Sequence, residues 1–367
     1  MAQRRGTLAS IAAEVGVSRT TVSNAYNHPD QLSPELRERI LAAARARGYT
    51  GPDPTARSLR TRQAGAVGVI LTEHLAYAFE DQASIDFLAG LSESSAGAGN
   101  ALTLIPLGPS QGTGISPLVA SALVDAFVVY SVPQSEPHLD AVLARGVPVV
   151  VCDQPYPADG GAYVGIDDAE AIKPAARALV EAGHRHVGIV GKRLFCDESR
   201  EGAVTPAEVA DADMHVQRGR IQGALEVFAE AGIGEVPIVT RHFNDHASAV
   251  DAARSLFDAS PHLTAVLCTT DSMALGVLDY CASAGLDVPG DVSVTGFDGV
   301  EQALARDLTT VVQPNKQKGE TVGRVLTELI EAAAQDSGPA AQTQRGPQVL
   351  LPTEFTPGRT VAPPRER

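Results

Sequence analysis

From residue 7 to residue 48 the apolar positions recur three or four apart, and capping residues divide them into three short helices. Thr7 N-caps a run whose Leu8, Ile11, Ala12 and Val15 share one face, and Gly16 supplies the turn that stops it. Ser18 caps a second helix from Arg19 to about Tyr26. A third starts where Ser33 precedes Pro34 and Glu35, carries the stripe Leu36, Ile40, Leu41 and Ala44, and closes at Gly48. Two short helices joined by a glycine-containing turn form a helix-turn-helix, whose second helix lies in the major groove of DNA. Packing by Ala12, Val17 and Val22 leaves Arg19, Thr20 and Asn24 facing outward as candidate base readers. Periodicity alone also fits an ordinary helical domain with surface arginines.

Beyond residue 64 the pattern changes to continuous apolar runs separated by helical stretches. Strands are expected at 66–71, 101–105, 126–130 and 147–151, then at 187–190, 237–239, 265–268 and 292–297. Uninterrupted apolar strands alternating with helices imply parallel sheets covered on both faces. About 300 residues of this pattern exceed one core, so two α/β lobes are expected. Ligands in such sheets gather beyond the carboxyl ends of the strands, which draws attention to Thr72, Glu73, Asp153, Thr270, Asp271 and Asp298. Between head and lobes, Asp53 and Pro54 open a helical stretch to Thr61. Two turns fall far short of the ~12–15 residues that an isolated helix needs, so this hinge should order only on DNA.

Charge sharpens the division. Residues 1–62 hold ten arginines and five acids, or +5, which leaves −20 on the remainder of a chain whose formal charge is −15. A basic head on an acidic body suits phosphate contact at one end and solubility at the other. Catalytic and cofactor signatures do not emerge. Gly97-Ala98-Gly99 lacks the spacing of a dinucleotide loop, and neither a Gly-Lys-Ser/Thr loop nor a serine elbow is present. His184 and His186 are spaced poorly for one metal. Cys152, Cys196, Cys268 and Cys281 form no Cys-x-x-Cys pair and fit a reducing compartment. No cofactor, metal or enzymatic activity is expected. Without an export core or an apolar run of about 18 residues, the expected location is the cytoplasm, with no membrane partner.

The run from Thr7 to Asn24, with Asn27, Leu32-Ser33, Arg37, Ile40, Gly48-Tyr49 and Ala56-Arg57-Ser58-Leu59, resembles the lac repressor family (LacI/GalR-type) of bacterial transcription regulators. The likeness extends through Gly165-Ile166-Asp167-Asp168, Arg220-Ile221-Gln222-Gly223, Asp271 to Gly276 and Gly296-Phe297-Asp298, over nearly the whole chain. It implies an all-α helix-turn-helix head (1–50), a hinge (51–63) and a two-lobed periplasmic-binding-protein-like (type I) core (64–367). Lobe 1 would hold about 64–165 and 315–345, and lobe 2 about 166–314 and 346–360. By this resemblance Arg19 and Thr20 read bases; Asn24 stands where the family often has arginine. Thr7, Ser18, Thr21, Ser23, Asn27, Ser33 and Tyr49 would contact the DNA backbone, and Leu59 would wedge into the minor groove with Ala56 nearby. Asp153, Arg220 and Asp298 would bind hydroxyls of a small effector and Phe243 would stack on its apolar face. Thr270 replaces a common asparagine, and Tyr77 and Phe79 would add aromatic wall or lobe packing.

Two segments depart from the family's usual length. Residues 194–217 are acidic and irregular, and are expected to form a solvated loop rather than a flap over the cleft; 335–347 read as a linker. The short tail lacks the leucine heptads of tetrameric members, so a homodimer is expected. The combined expectation is a ligand-responsive regulator, in the first instance a repressor, that binds double-stranded operator DNA and is controlled by a sugar-like effector between the lobes. A nucleobase-dependent corepressor logic is the alternative, and a sugar-binding or carbohydrate-processing protein is a more distant one.

Overall fold

A computed structural model describes residues 6–51, 63–71, 75–107, 116–157, 160–335 and 346–365. The chain divides into two units, Met1–Gly65 and Ala66–Arg367. In the first unit, α1 (Leu8–Val15), α2 (Arg19–Asn27) and α3 (Pro34–Ala46) follow the expected caps. Thr7 and Ser10 bond reciprocally at the start of α1, and Gly16 ends it in the left-handed region at φ 75°. Ser18 and Ser33 accept the backbone N–H of Thr21 and Leu36. Ile11, Ala12, Val22, Ala25, Ile40 and Ala44 form the buried centre, two residues from each helix. Helices this short are marginal in isolation, so their mutual packing sustains them.

The second unit is built on two largely parallel sheets. The first contains β1 (Ala66–Leu71), β2 (Ala101–Pro106), β3 (Ala126–Tyr130), β4 (Val149–Cys152) and β5 (Ala162–Gly165). The second contains β6 (Val187–Lys192), β7 (Gly202–Val204), β8 (Ile238–Arg241), β9 (Ala265–Cys268), β10 (Ser293–Asp298) and β11 (Thr309–Val312). Two late strands, β12 (Gln348–Leu350) and β13 (Glu354–Thr356), complete orders of β12-β5-β4-β3-β1-β2 and β13-β11-β10-β9-β6-β8-β7. β3 and β9 are buried throughout, as strands covered on both faces must be. Helices Gln82–Gly97 and Asn315–Gln335 pack closely on each other: a Cβ on Gly90 would come within 2.0 Å of the Lys316 carbonyl oxygen.

The chain passes between lobes after β5, after β11 and between β12 and β13. β12 pairs in parallel with β5, so residues 348–350 belong to the first lobe, whereas the sequence reading placed 346–360 in the second. The segment 194–217 also differs from the expected solvated loop. β7 extends the second sheet antiparallel to β8, and Thr205 with Glu208 forms a capping box for the helix Pro206–Ala210. Leu194, Phe195, Val209, Ala212 and Met214 are buried. These apolar residues are too sparse to show a period, yet all five pack inward.

Candidate functional site

In the head, Arg19 and Thr20 are exposed on the first turn of α2. Asn24, one turn later, is half-buried, and its amide donates to Gln31 Oε1 at 2.9 Å, so the short turn Pro29–Gln31 orients it. Several of the predicted backbone-contact residues also serve the fold. Ser18 caps α2 and pairs with Thr21 Oγ1 at 2.8 Å, Asn27 Nδ2 reaches Ser23 Oγ at 3.1 Å, and Tyr49 meets Tyr26 edge to face. Of these contacts, the Ser18 pairing sets the N-terminus of α2, and a helix N-terminus is itself suited to an anion. Ala56, Leu59 and Thr72 lie outside the described residues, as does the side chain of Tyr77.

Within the second unit, three of the predicted effector residues converge where the two lobes meet. Arg220, on the helix His215–Glu230, donates through Nε to Asp168 Oδ1 at 2.8 Å and through Nη1 to the Thr269 carbonyl at 2.8 Å and Asp298 Oδ1 at 3.3 Å. Its guanidinium also lies 3.8 Å from the centre of the Phe297 ring, a stacked arrangement that fixes the fork. Gln313 Nε2 donates to Asp298 Oδ1 at 2.6 Å while its carbonyl accepts from Lys318 Nζ at 2.6 Å. Lys318 Nζ donates in turn to Asp153 Oδ1 at 2.6 Å. Asp153, Lys318, Gln313, Asp298, Arg220 and Asp168 thus form one continuous buried polar chain.

The electrostatics follow from that burial. Removal from water pushes the Asp298 carboxyl up to about 7, with Arg220 pulling down and Asp271 and Asp81 pushing further up. Burial raises Asp168 as well, against the pull of Arg220 and Lys318. For Arg220, burial works against the cation, but Asp168 and Asp298 outweigh it and raise its value. Burial lowers Lys192 at the end of β6, opposed by Asp81 and Asp298. Desolvating this many charges is costly, and such a concentration of perturbed groups makes this the candidate functional site. Arg220 Nη2, Asp153 Oδ2 and Asp298 Oδ2 make no hydrogen bond to the described residues, so donor and acceptor capacity is left for a ligand.

Other predicted residues are placed differently. The Thr270 hydroxyl caps the helix Asp271–Ala284 by accepting from Met273 N at 3.2 Å, and is engaged in that role. Phe79 is 56% exposed, which does not fit an enclosed aromatic wall. Phe243 is half-buried after β8 with its ring edge-on to His242 at 4.7 Å, and Asn244 beside it reaches across to Asp81 Oδ1 at 3.3 Å. Asp271 accepts from Gly299 N, Val300 N and Thr310 Oγ1, and so braces the loop that carries Asp298. His184 bonds Thr264 Oγ1 and the Ala362 carbonyl, a structural role. Lys318 and Gln313 went unremarked in the sequence, because a lysine and a glutamine near a helix start read as surface residues.

Comparisons with known proteins bear on the family and the fold. Residues 7–51 match the model of the lacI family of bacterial regulatory proteins, and residues 176–361 that of a periplasmic binding protein-like domain. Over 366 residues the chain is 51% identical to the HTH-type transcriptional regulator IpsA of Corynebacterium glutamicum, covering 98% of this chain and 99% of that protein. The crystal structure of a LacI-family transcriptional regulator from Corynebacterium glutamicum is 47% identical and superposes with a TM-score of 0.72, covering 98% of this chain and all of that one. A complex of the regulator CelR with cellobiose is 26% identical, with a TM-score of 0.69 over 97% of this chain and 100% of that one.

Proposed function

The chain belongs to the lacI family of bacterial regulatory proteins, and on that premise we propose that it is a homodimeric repressor controlled by a small polyhydroxylated effector. The observation that carries the effector reading is the buried fork of Arg220 between Asp168 and Asp298, with Asp153 nearby in the same polar chain. Carboxylates accept and a guanidinium donates, so adjacent hydroxyls of an uncharged polyol find both partners without a net charge to neutralise. CelR was solved with cellobiose, which supports a sugar-like ligand for this fold.

On the DNA side, two heads in one dimer require paired half-sites, and Arg19, Thr20 and Asn24 would read them. Arginine favours guanine and asparagine favours adenine. Thr7, Ser18, Thr21, Ser23, Asn27, Ser33 and Tyr49 would hold the phosphates, and the hinge from Asp53 to Thr61 would insert Leu59 into the minor groove. Effector binding changes the angle between lobes and with it the separation of the two hinges. A coupling of about 1–3 kcal/mol is sufficient for such control. The protein works by binding and release, without turnover, in the cytoplasm.

The test has two stages. A thermal-shift panel of sugars, sugar phosphates and nucleobases identifies the ligand, since one present at about 100 times its dissociation constant adds ~2.7 kcal/mol of stability. A duplex selected from a random pool then serves in a gel shift with and without that ligand. Release of the duplex by a neutral sugar or polyol is expected. Stabilisation by nucleobases alone, with tighter DNA binding, would replace this reading by a corepressor; conversion of the sugar would replace it by an enzyme.

A further inference from the structure

Lys318 is a first-lobe residue whose ammonium does not reach solvent. It is 1% exposed, on the opening turn of the helix Asn315–Gln335, immediately after the chain has crossed from the second lobe at β11. A methionine would fill the same volume without the cost of burying a charge. Its partners are informative. Asp153 comes from the end of β4 in the first lobe, while Gln313 follows β11 and donates to Asp298 of the second. Gln313 can serve both only in one orientation, carbonyl toward the ammonium and amide toward the carboxylate. Flipping it would set donor against donor and acceptor against acceptor.

We propose that Lys318 is a positioning residue that couples the effector cleft to the interlobe hinge, by locking Gln313 in the orientation that joins Asp153 of one lobe to Asp298 of the other. The inference rests on the cleft reading for its consequence, but its physical content is testable without any ligand. Asp153 is the natural pivot, since its backbone carbonyl accepts from Tyr163 Oη of its own lobe at 2.9 Å and pairs with His215 Nε2 of the other at 2.8 Å. It also adopts φ 65°, a left-handed conformation that a non-glycine residue holds only when its surroundings enforce it. Loss of the ammonium frees Gln313 to turn, unties Asp153 from Asp298 and loosens the contact between lobes.

Two backbone amides report that contact. Val216 lies in the first turn of the helix His215–Glu230, where N–H groups have no intrahelical acceptor, and it donates across the lobes to Gln154 Oε1 at 3.0 Å. Ser135 donates across to Asp213 Oδ1 at 3.0 Å. Hydrogen exchange of the full-length protein, free of ligand, is compared for wild type, Lys318→Met, Asp153→Asn and the double variant. Each single change should speed exchange at Val216 and Ser135 about tenfold, the double should add little to either, and amides from Val322 to Leu329 should stay at the wild-type rate. Unchanged rates at Val216 and Ser135, multiplicative effects in the double variant, or equal acceleration along the helix would each overturn the proposal. Asp153→Asn alone still reads the outcome if Lys318→Met does not fold. A silent thermal-shift panel would count against the effector reading while leaving this exchange result standing.

Discussion

At the scale of single residues, Asp298 is the most consequential titrating group. It accepts from Gln313 and Arg220 in a buried site, and that burial raises its carboxyl to about 7, well above the ~3.9 of an unfolded chain. The folded state therefore holds a proton that the unfolded state has released over that interval. This contribution to stability is complete below pH ~4 and is lost as pH rises through about 7. Asp298→Asn should flatten the fall in melting temperature between pH 5 and pH 8 relative to wild type, whatever its effect on the absolute value. Parallel profiles for the two proteins would mean that Asp298 is already ionised throughout. The same variant should abolish the response to effector, because Oδ1 can still accept from Arg220 and Gln313 but Oδ2, the oxygen left to accept from a ligand hydroxyl, becomes an amide donor.

Among the elements, the segment from Leu194 to Met214 shows how a few apolar side chains can order an irregular stretch. Thr205 and Glu208 cap each other across one turn, Pro206 occupies the first helical position, and Val209 is fully buried against the second-lobe core. Asp213 then faces Ser135 of the first lobe, so the segment spans the lobes. Val209→Ala removes two methyl groups and leaves a cavity, which should lower stability by about 1.5–3 kcal/mol and expose the segment to proteolysis between 197 and 212. Wild-type melting and cleavage would show that the segment is dispensable to the lobe. The head helices were readable because caps are local: Thr7, Ser18 and Ser33 act on residues three positions away. β5 and β11 were not read as strands. Each has only four residues, and β11 begins with two buried threonines that look polar in a linear sequence.

Control at the scale of the whole molecule depends on a division of charge and of stability. The head is basic and the remainder of the chain acidic, so phosphate attraction belongs to the head and should weaken steeply with salt. The proposed hinge is too short to be helical alone, so the proposed minor-groove contact should be the first lost when two hinges are separated. Leu59→Ala should reduce binding to the selected duplex by at least tenfold more than binding to random-sequence DNA, each measured across a salt titration. Equal losses on the two DNAs would remove the wedge and leave only a basic linker.

Local chemistry was sufficient for the helical head and its caps, the alternation of apolar strands with helices, two lobes, and the strand-end carboxylates Asp153 and Asp298. Caps, turns and continuous apolar runs act over a few residues, so their meaning survives in a linear sequence. Tertiary structure decided which polar groups meet. It brought Lys318 to Asp153 across 165 positions, inserted Gln313 between them and Asp298, engaged Thr270 as a cap, turned Phe79 outward and assigned β12 to the first lobe. No periodicity records those choices. They are set by burial, which takes an ammonium, an amide and two carboxylates out of bulk water and makes them each other's partners.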